Sequence, residues 1–195
     1  MARVKGIAVL ARLRFVKERY GDEGLEQLLR ALPTEERTLI DEHLLPHEWA
    51  PFSLFVNVNQ RADALFGRGD LALILEMGAY AARTALPTIF RPFLRFGSPK
   101  FLFSRASKIW NTHYDSGRLD LIEDSPRTAR LRIEGFETPH TVHCHAILGW
   151  VREAIVLTGA VVQFAEETRC RTRGDPFCEI SARWMEKGEQ PAAPV

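Results

Sequence analysis

The chain has 195 residues, with 26 Lys and Arg against 25 Asp and Glu and a hydrophobic share of 46%. A net charge of +1 excludes the cationic excess with which dedicated nucleic-acid binders displace counterions. The apolar share excludes a disordered chain and suits one domain with its own core. No apolar run approaches the roughly 18 residues a transmembrane helix needs. Arg12 and Arg14 interrupt the apolar N-terminus before a signal-peptide pattern develops, so the expected location is the cytoplasm.

The first hundred residues carry helical periodicity. Leu25, Leu28, Leu29 and Leu32 share one helical face, Pro33 stops that helix, and Thr34 caps the next, in which Leu39, Ile40, Leu44 and Leu45 recur. Ser53 is the expected cap of a third helix carrying Leu54, Val58, Ala62 and Leu65 and ending near Gly67. Asp70 opens a fourth, whose stripe of Leu71, Ile74, Leu75, Gly78, Ala79 and Ala82 is partly small and so allows close helix approach. Between Pro87 and Pro99, Pro92 limits any helix to short pieces. Ser98 and Pro99 then supply the cap and first turn of a helix with Leu102, Phe103, Ala106, Ile109 and Trp110.

After Tyr114 the period changes to two. Leu119 and Leu121, then Ala129, Leu131 and Ile133, alternate with polar residues as the arms of a hairpin that turns at Glu123-Asp124-Ser125-Pro126. Residues 141–159 read as a helix. Two further strands, 160–171 and 176–185, join through Arg173-Gly174-Asp175. The expected fold is α+β, with N-terminal helices packed on a small antiparallel sheet made of two hairpins separated by a helix. Residues 1–186 form one expected ligand-binding domain and residues 187–195 a disordered tail.

Three cysteines, all in the last third, make a poor disulfide framework in a chain without an export signal. Cys144, Glu167, Cys170 and Cys178 are separated by 23, 3 and 8 positions. Three thiolates and one carboxylate are a tetrahedral donor set for zinc, whereas three buried cysteines can equally be small apolar core residues. His140, His143 and His145 lie close to Cys144, and one of them could take the place of Glu167, although a helix turns each neighbour about 100° away.

Aromatic residues are dense between Phe90 and Tyr114. Phe93, Phe103, Trp110 and His113 are the candidates to line an apolar ligand pocket, Trp110 and His113 being three apart and so on one helix face. The alternative for such a stripe is packed core. The interleaved Arg83, Arg91, Arg95, Lys100, Arg105 and Lys108 read as a solvated face. No Gly-rich phosphate loop, nucleophile elbow or paired histidine-glutamate zinc motif is present, so no enzyme is expected.

Glu167-Thr168-Arg169-Cys170, followed by Gly174-Asp175-Pro176-Phe177-Cys178 and preceded by Cys144 and Gly149-Trp150, resembles the 4-vinyl reductase domain family, the ligand-sensing part of phenol-responsive bacterial activators. That family is similar in fold to the small subunits of the vesicle-tethering TRAPP complex. The resemblance implies a structural zinc on Cys144, Glu167, Cys170 and Cys178 beside an aromatic-binding pocket. It also implies a homodimer joined through the helical part, for which the Leu71–Ala82 stripe is the expected face. No ATPase or DNA-binding module follows Met185, so the chain is not expected to activate transcription itself. The function expected on this basis is a zinc-stabilised cytosolic sensor or carrier domain, which binds a small hydrophobic or aromatic ligand and signals through contacts with a protein partner. The rival is a ligand-free dimeric interaction scaffold of the tethering type.

Overall fold

The computed structural model describes residues 2–96 and 98–186, with the backbone alone at 87–96 and 123–124. Val9, Leu13 and Val16 repeat at helical spacing and are buried along α1 (Gly6–Arg30), which bends at Gly21. The polar α2 (Thr34–His43) buries no residue completely and ends before Leu44 and Leu45. In α3 (Phe52–Phe66) the apolar positions Phe52, Phe55, Val58 and Ala62 turn inward. Pro33 and Pro51, not Thr34 and Ser53, occupy the cap positions of α2 and α3, and neither helix has a side-chain cap. Two three-residue strands that carry no periodicity signal, β1 (Arg3–Lys5) and β2 (Trp49–Pro51), pair antiparallel across the start of α1.

The fourth helix, α4 (Ala72–Phe96), runs through both Pro87 and Pro92, against the expectation of short pieces. Each proline removes one backbone donor but fixes φ near the helical value, and a helix of 25 residues retains the rest of its ladder. The side chain of Phe93 lies outside the described residues, as does the tail 187–195. Ser98 caps α5 (Pro99–Phe103) by accepting from Phe101 N at 3.4 Å, as the Ser-Pro pair implies. The expected single helix then breaks at Ser104 and Arg105, and α6 (Ala106–His113) begins anew.

The larger sheet is α+β in the expected sense. Its strands β3 (Arg118–Ser125), β4 (Thr128–Glu134), β5 (Val161–Arg169) and β6 (Cys178–Met185) lie in the order β3-β4-β6-β5 with every neighbouring pair antiparallel. Two hairpins are thus joined through β4 and β6, with Leu131 opposite Ile180. The first turn falls at Pro126-Arg127, one step later than expected, because Ser125 still pairs with Thr128. Between the hairpins runs α7 (Thr141–Leu157), tied to the sheet where Arg152 Nη2 donates to the carbonyl of Ala165 at 2.6 Å.

The small-residue stripe of α4 does pack closely, but against α7 of the same chain. A Cβ on Gly78 would stand 2.1 Å from the carbonyl oxygen of Ala146, and one on Gly149 would stand 2.0 Å from that of Leu75. Ile74 and Ala82 are fully buried in this contact region. The stripe is therefore not a face for a second copy of the chain. Among the described residues no helix is long and apolar enough to cross a membrane.

Candidate functional site

Helix α7 carries two different sites. Cys144, in its first turn, faces the end of the β5–β6 hairpin, while Ala146, Ile147 and Trp150 line a cavity of about 670 Å³ enclosed also by α1, α4 and α6. The cavity walls are mainly apolar, with Ile7, Leu10, Leu13, Ala81, Ala85, Ile109 and Leu119 among them. Trp110 and His113 both reach this cavity. Phe103 does not line it, and packs instead against Trp184 at 6.0 Å between ring centroids.

Three polar side chains interrupt the apolar wall. His113 Nδ1 lies 3.0 Å from the carbonyl oxygen of Ile109 and 2.9 Å from the hydroxyl of Thr112, which itself donates to the same carbonyl. A carbonyl only accepts, so Nδ1 carries the ring proton and Nε2 is left bare. Burial pushes the His113 pKa below its ordinary value, which keeps the ring neutral. Tyr114 is buried, and loss of solvent pushes its phenol up to about 12. Arg12 is 5% exposed. Its Nη1 donates to the carbonyl of Ala8 at 3.2 Å, its guanidinium lies over the ring of Phe55 at 4.7 Å, and its Nε has no partner. Burial lowers its pKa to about 10.

Behind this wall His143 sits among Phe52, Tyr114, Phe136 and Trp110, with ring centroids 4.9 to 5.6 Å away. It is 2% exposed, its Nε2 has no partner, and burial, aided by the charge of Arg12, brings its pKa down to about 3. Sequence reasoning missed Arg12, Trp150 and His143 as parts of this region. Arg12 was legible only as a charge at helical spacing inside an apolar stretch, a pattern that also fits an interruption of a leader.

The four residues of the second site do come together. One donor atom from each of Cys144, Glu167, Cys170 and Cys178 lies within 4.8 Å of the others. Cys144 Sγ stands 3.6 Å from Cys170 Sγ and 3.8 Å from Cys178 Sγ. The hairpin end that achieves this is a 3₁₀ turn at Arg171–Arg173 closed by Gly174 in the left-handed region, φ 93°, where a side chain would be strained. Asp175 fixes the turn by accepting from Cys170 N at 2.8 Å. Glu167 Oε2 accepts from Arg173 at 2.7 Å, while its buried Oε1 has no partner.

Among the thiols, the hydrogen bond from Cys144 and the backbone N–H of Arg171 draw Cys178 down to about 6, and Cys144, which gives the proton, is pushed far up. One sulfur is thus poised as a thiolate beside two thiols and a carboxylate, a donor set suited to a soft cation. No histidine joins it. His140 Nδ1 caps α7 by accepting from Val142 N, His143 faces the aromatic ring cluster, and His145 Nδ1 lies 3.0 Å from the carbonyl of Thr141.

No family model matches the chain, and no curated protein sequence matches it. Solved structures do. An Fe(II) unliganded H-NOX protein from K. algicida superposes with a TM-score of 0.71 at 13% identity, over 96% of this chain and 100% of that one. An H-NOX protein from S. oneidensis in the Fe(II)NO state gives 0.71 at 14% identity over 93% and 99%. An oxygen-binding H-NOX domain related to soluble guanylate cyclases, in its oxygen complex, gives 0.67 at 11% identity over 97% and 100%. At such identities the likeness is one of fold.

These matches correct the family reading. The resemblance to the 4-vinyl reductase domain rested on one hairpin end and a helix start, a local geometry that different folds can build, whereas the H-NOX likeness extends over nearly the whole chain. The zinc-stabilised sensor or carrier inferred from that family falls with it, as does the ligand-free scaffold of the tethering type. Structural zinc as the cofactor is likewise overturned, since the matching structures are described by their iron(II) and its ligands.

Proposed function

We propose that the chain is a sensor domain that holds a haem-type tetrapyrrole in the cavity between α1, α4, α6 and α7, where His113 would be the residue that holds its iron. The observation that carries this reading is His113 itself: a neutral imidazole at an apolar cavity, its Nδ1–H tied to the carbonyl of Ile109 and its Nε2 bare. A histidine is a common haem ligand, and a backbone carbonyl on its other nitrogen fixes tautomer and ring orientation. The cavity's volume and apolar lining fit a compact hydrophobic cofactor. The neighbouring structures add support, because their names give Fe(II), an oxygen complex and haem distortion in the H-NOX family. When bound, such a group would supply reversible binding of a diatomic gas. Ile7, Leu10, Ile147 and Trp150 would exclude water.

On this reading residues 1–186 act as one cytoplasmic domain without catalysis. The bound state is passed to a protein partner, and any homodimer uses a surface other than the α4 stripe. Cys144, Glu167, Cys170 and Cys178 form a separate site for one thiophilic cation, whose identity metal analysis of purified protein would give.

Titration of the purified chain with haemin under reducing conditions tests the main reading. One equivalent is expected to produce a saturable Soret band, which His113→Ala abolishes or shifts and added imidazole restores. Absence of a stoichiometric band, or an unchanged band in His113→Ala, overturns it.

A further inference from the structure

Most buried charges of this chain have partners. Among the described residues, Asp63 accepts from Leu71 N, and Glu179 pairs with Arg132 at 3.0 Å. Arg12 differs: it is buried on α1, it lines the cavity, and among the described residues no carboxylate pairs with it. The groups nearest to it electrically are Tyr114, His113 and His143, and all three are held neutral. A buried guanidinium without a counter-charge is a costly arrangement, and replacing it with an apolar residue of similar size would ordinarily be neutral or stabilising. The cation–π contact with Phe55 and the single bond to Ala8 satisfy only part of the group. With Nη1 engaged on the carbonyl of Ala8, the Nε side of the planar fork is left with no acceptor from the protein.

We infer that Arg12 is the receptor for a carboxylate of the molecule held in the cavity, so that the ligand is an apolar compound bearing an acidic group. A carboxylate offers two oxygens to the paired donors of a guanidinium edge, and in a site of low polarity such a bond is shorter and stronger than a neutral one. The inference shares its cavity with the haem reading and specifies how the occupant is recognised, since a tetrapyrrole can supply the carboxylate as a side chain. A long-chain fatty acid supplies the same chemistry.

The test compares acids with their uncharged counterparts. Wild-type protein and Arg12→Met are titrated with iron-free protoporphyrin IX and its dimethyl ester, and with palmitic acid and hexadecanol, following the fluorescence of Trp110 and Trp150 in the cavity wall. At least one acid is expected to bind wild type ten-fold or more tightly than its uncharged partner, and that ratio is expected to fall to near one in Arg12→Met. Preference confined to the porphyrin supports a tetrapyrrole carboxylate. Preference confined to palmitate supports the Arg12 inference and, together with a missing Soret band, removes the haem reading. Equal binding of acid and neutral forms, no binding of either acid, or a ratio unchanged in Arg12→Met overturns the inference. Arg12→Lys keeps the charge without the fork. If Arg12→Met does not fold, a ratio at least threefold lower in Arg12→Lys supports the inference and an unchanged ratio overturns it.

Discussion

The thiol cluster and the cavity lie on successive turns of α7, yet they treat their buried polar atoms in opposite ways. In the cluster Cys144 bonds both other sulfurs, Cys170 reaches Thr172, and Cys178 accepts from a backbone N–H; of the donor atoms only Glu167 Oε1 is left over. In the cavity wall Arg12 Nε is buried without a partner, as is His143 Nε2 in the aromatic cluster behind it. A polar network satisfied by its own chain contributes to the fold, whereas an orphaned buried group is a cost that a bound molecule can offset. The cluster's sulfurs thus find partners within their own hairpin end, while the cavity wall leaves Arg12 Nε without an acceptor.

The largest expected effect comes from breaking the element that both regions share. Gly78→Ala would place a methyl group 2.1 Å from a backbone oxygen of α7, and backbone cannot swing aside as a flexible side chain can. Overpacking there is expected to cost about 3 kcal/mol. Chemical denaturation should show the loss, and both the reactivity of the thiols and haemin binding should change together. If the variant is as stable as wild type, the two regions are not coupled through the α4–α7 contact.

A second expectation tests the orphaned side alone. The pKa of His143 falls from 6.5 to about 3 on burial, so the folded state refuses a proton that the unfolded chain accepts. For a base with a depressed folded value, the contribution is intact above pH 6.5 and is lost as pH falls toward 3, at about 1.4 kcal/mol per pH unit. At pH 5 the deficit is about 2 kcal/mol on the same slope. His143→Phe, placed among Phe52, Phe136 and Trp110, should match wild type near neutrality and be the more stable of the two in acid. Parallel pH profiles for the two proteins would falsify the assignment of His143 as a buried neutral ring.

Much of this fold could be read from periodicity alone. The alternation through Leu119 to Ile133 gave the first hairpin, and the helix at residues 141–157 and the last two strands came within a few residues of their observed ends. That Cys144, Glu167, Cys170 and Cys178 converge was legible because gaps of 23, 3 and 8 bracket a helix start and a tight turn. Three things were hidden for physical reasons. The strands β1 and β2 are three residues long, too short to establish a period. The small stripe on α4 declares that something packs closely, but residue type cannot tell α7 from a second copy of the chain. Arg12 is legible as a charge on an apolar helix face. Its lack of a counter-charge is a tertiary fact, settled only when α1 is seen against Phe55, His113 and Tyr114. The family resemblance failed for a related reason, since it was drawn from one hairpin end and took no account of the four helices that enclose the cavity.

The smallest expected effect sharpens the satisfied side. Asp175 holds the hairpin end by accepting from Cys170 N, and its own backbone N–H donates to the carbonyl of Cys170 at 3.2 Å. Asp175→Ala removes the first bond and leaves the second, so the expected loss is about 1 kcal/mol. The local consequence is more diagnostic. Cys178 is drawn down to about 6 first by the hydrogen bond from Cys144 and also by the N–H of Arg171, which belongs to the turn that Asp175 braces. An acid whose folded pKa is depressed adds stability above its unfolded value, and that contribution fades as pH falls through the folded one. Loosening the turn should therefore move the thiolate midpoint, followed by ultraviolet absorbance against pH, upward from about 6 toward the ordinary thiol range. Haemin titration and the fluorescence of Trp110 and Trp150 should stay as in wild type, because neither Asp175 nor the Arg171–Arg173 turn is part of the cavity wall. A midpoint that does not move would mean that Cys144 alone sets the charge on Cys178, and that the turn serves only to bring the sulfurs within reach.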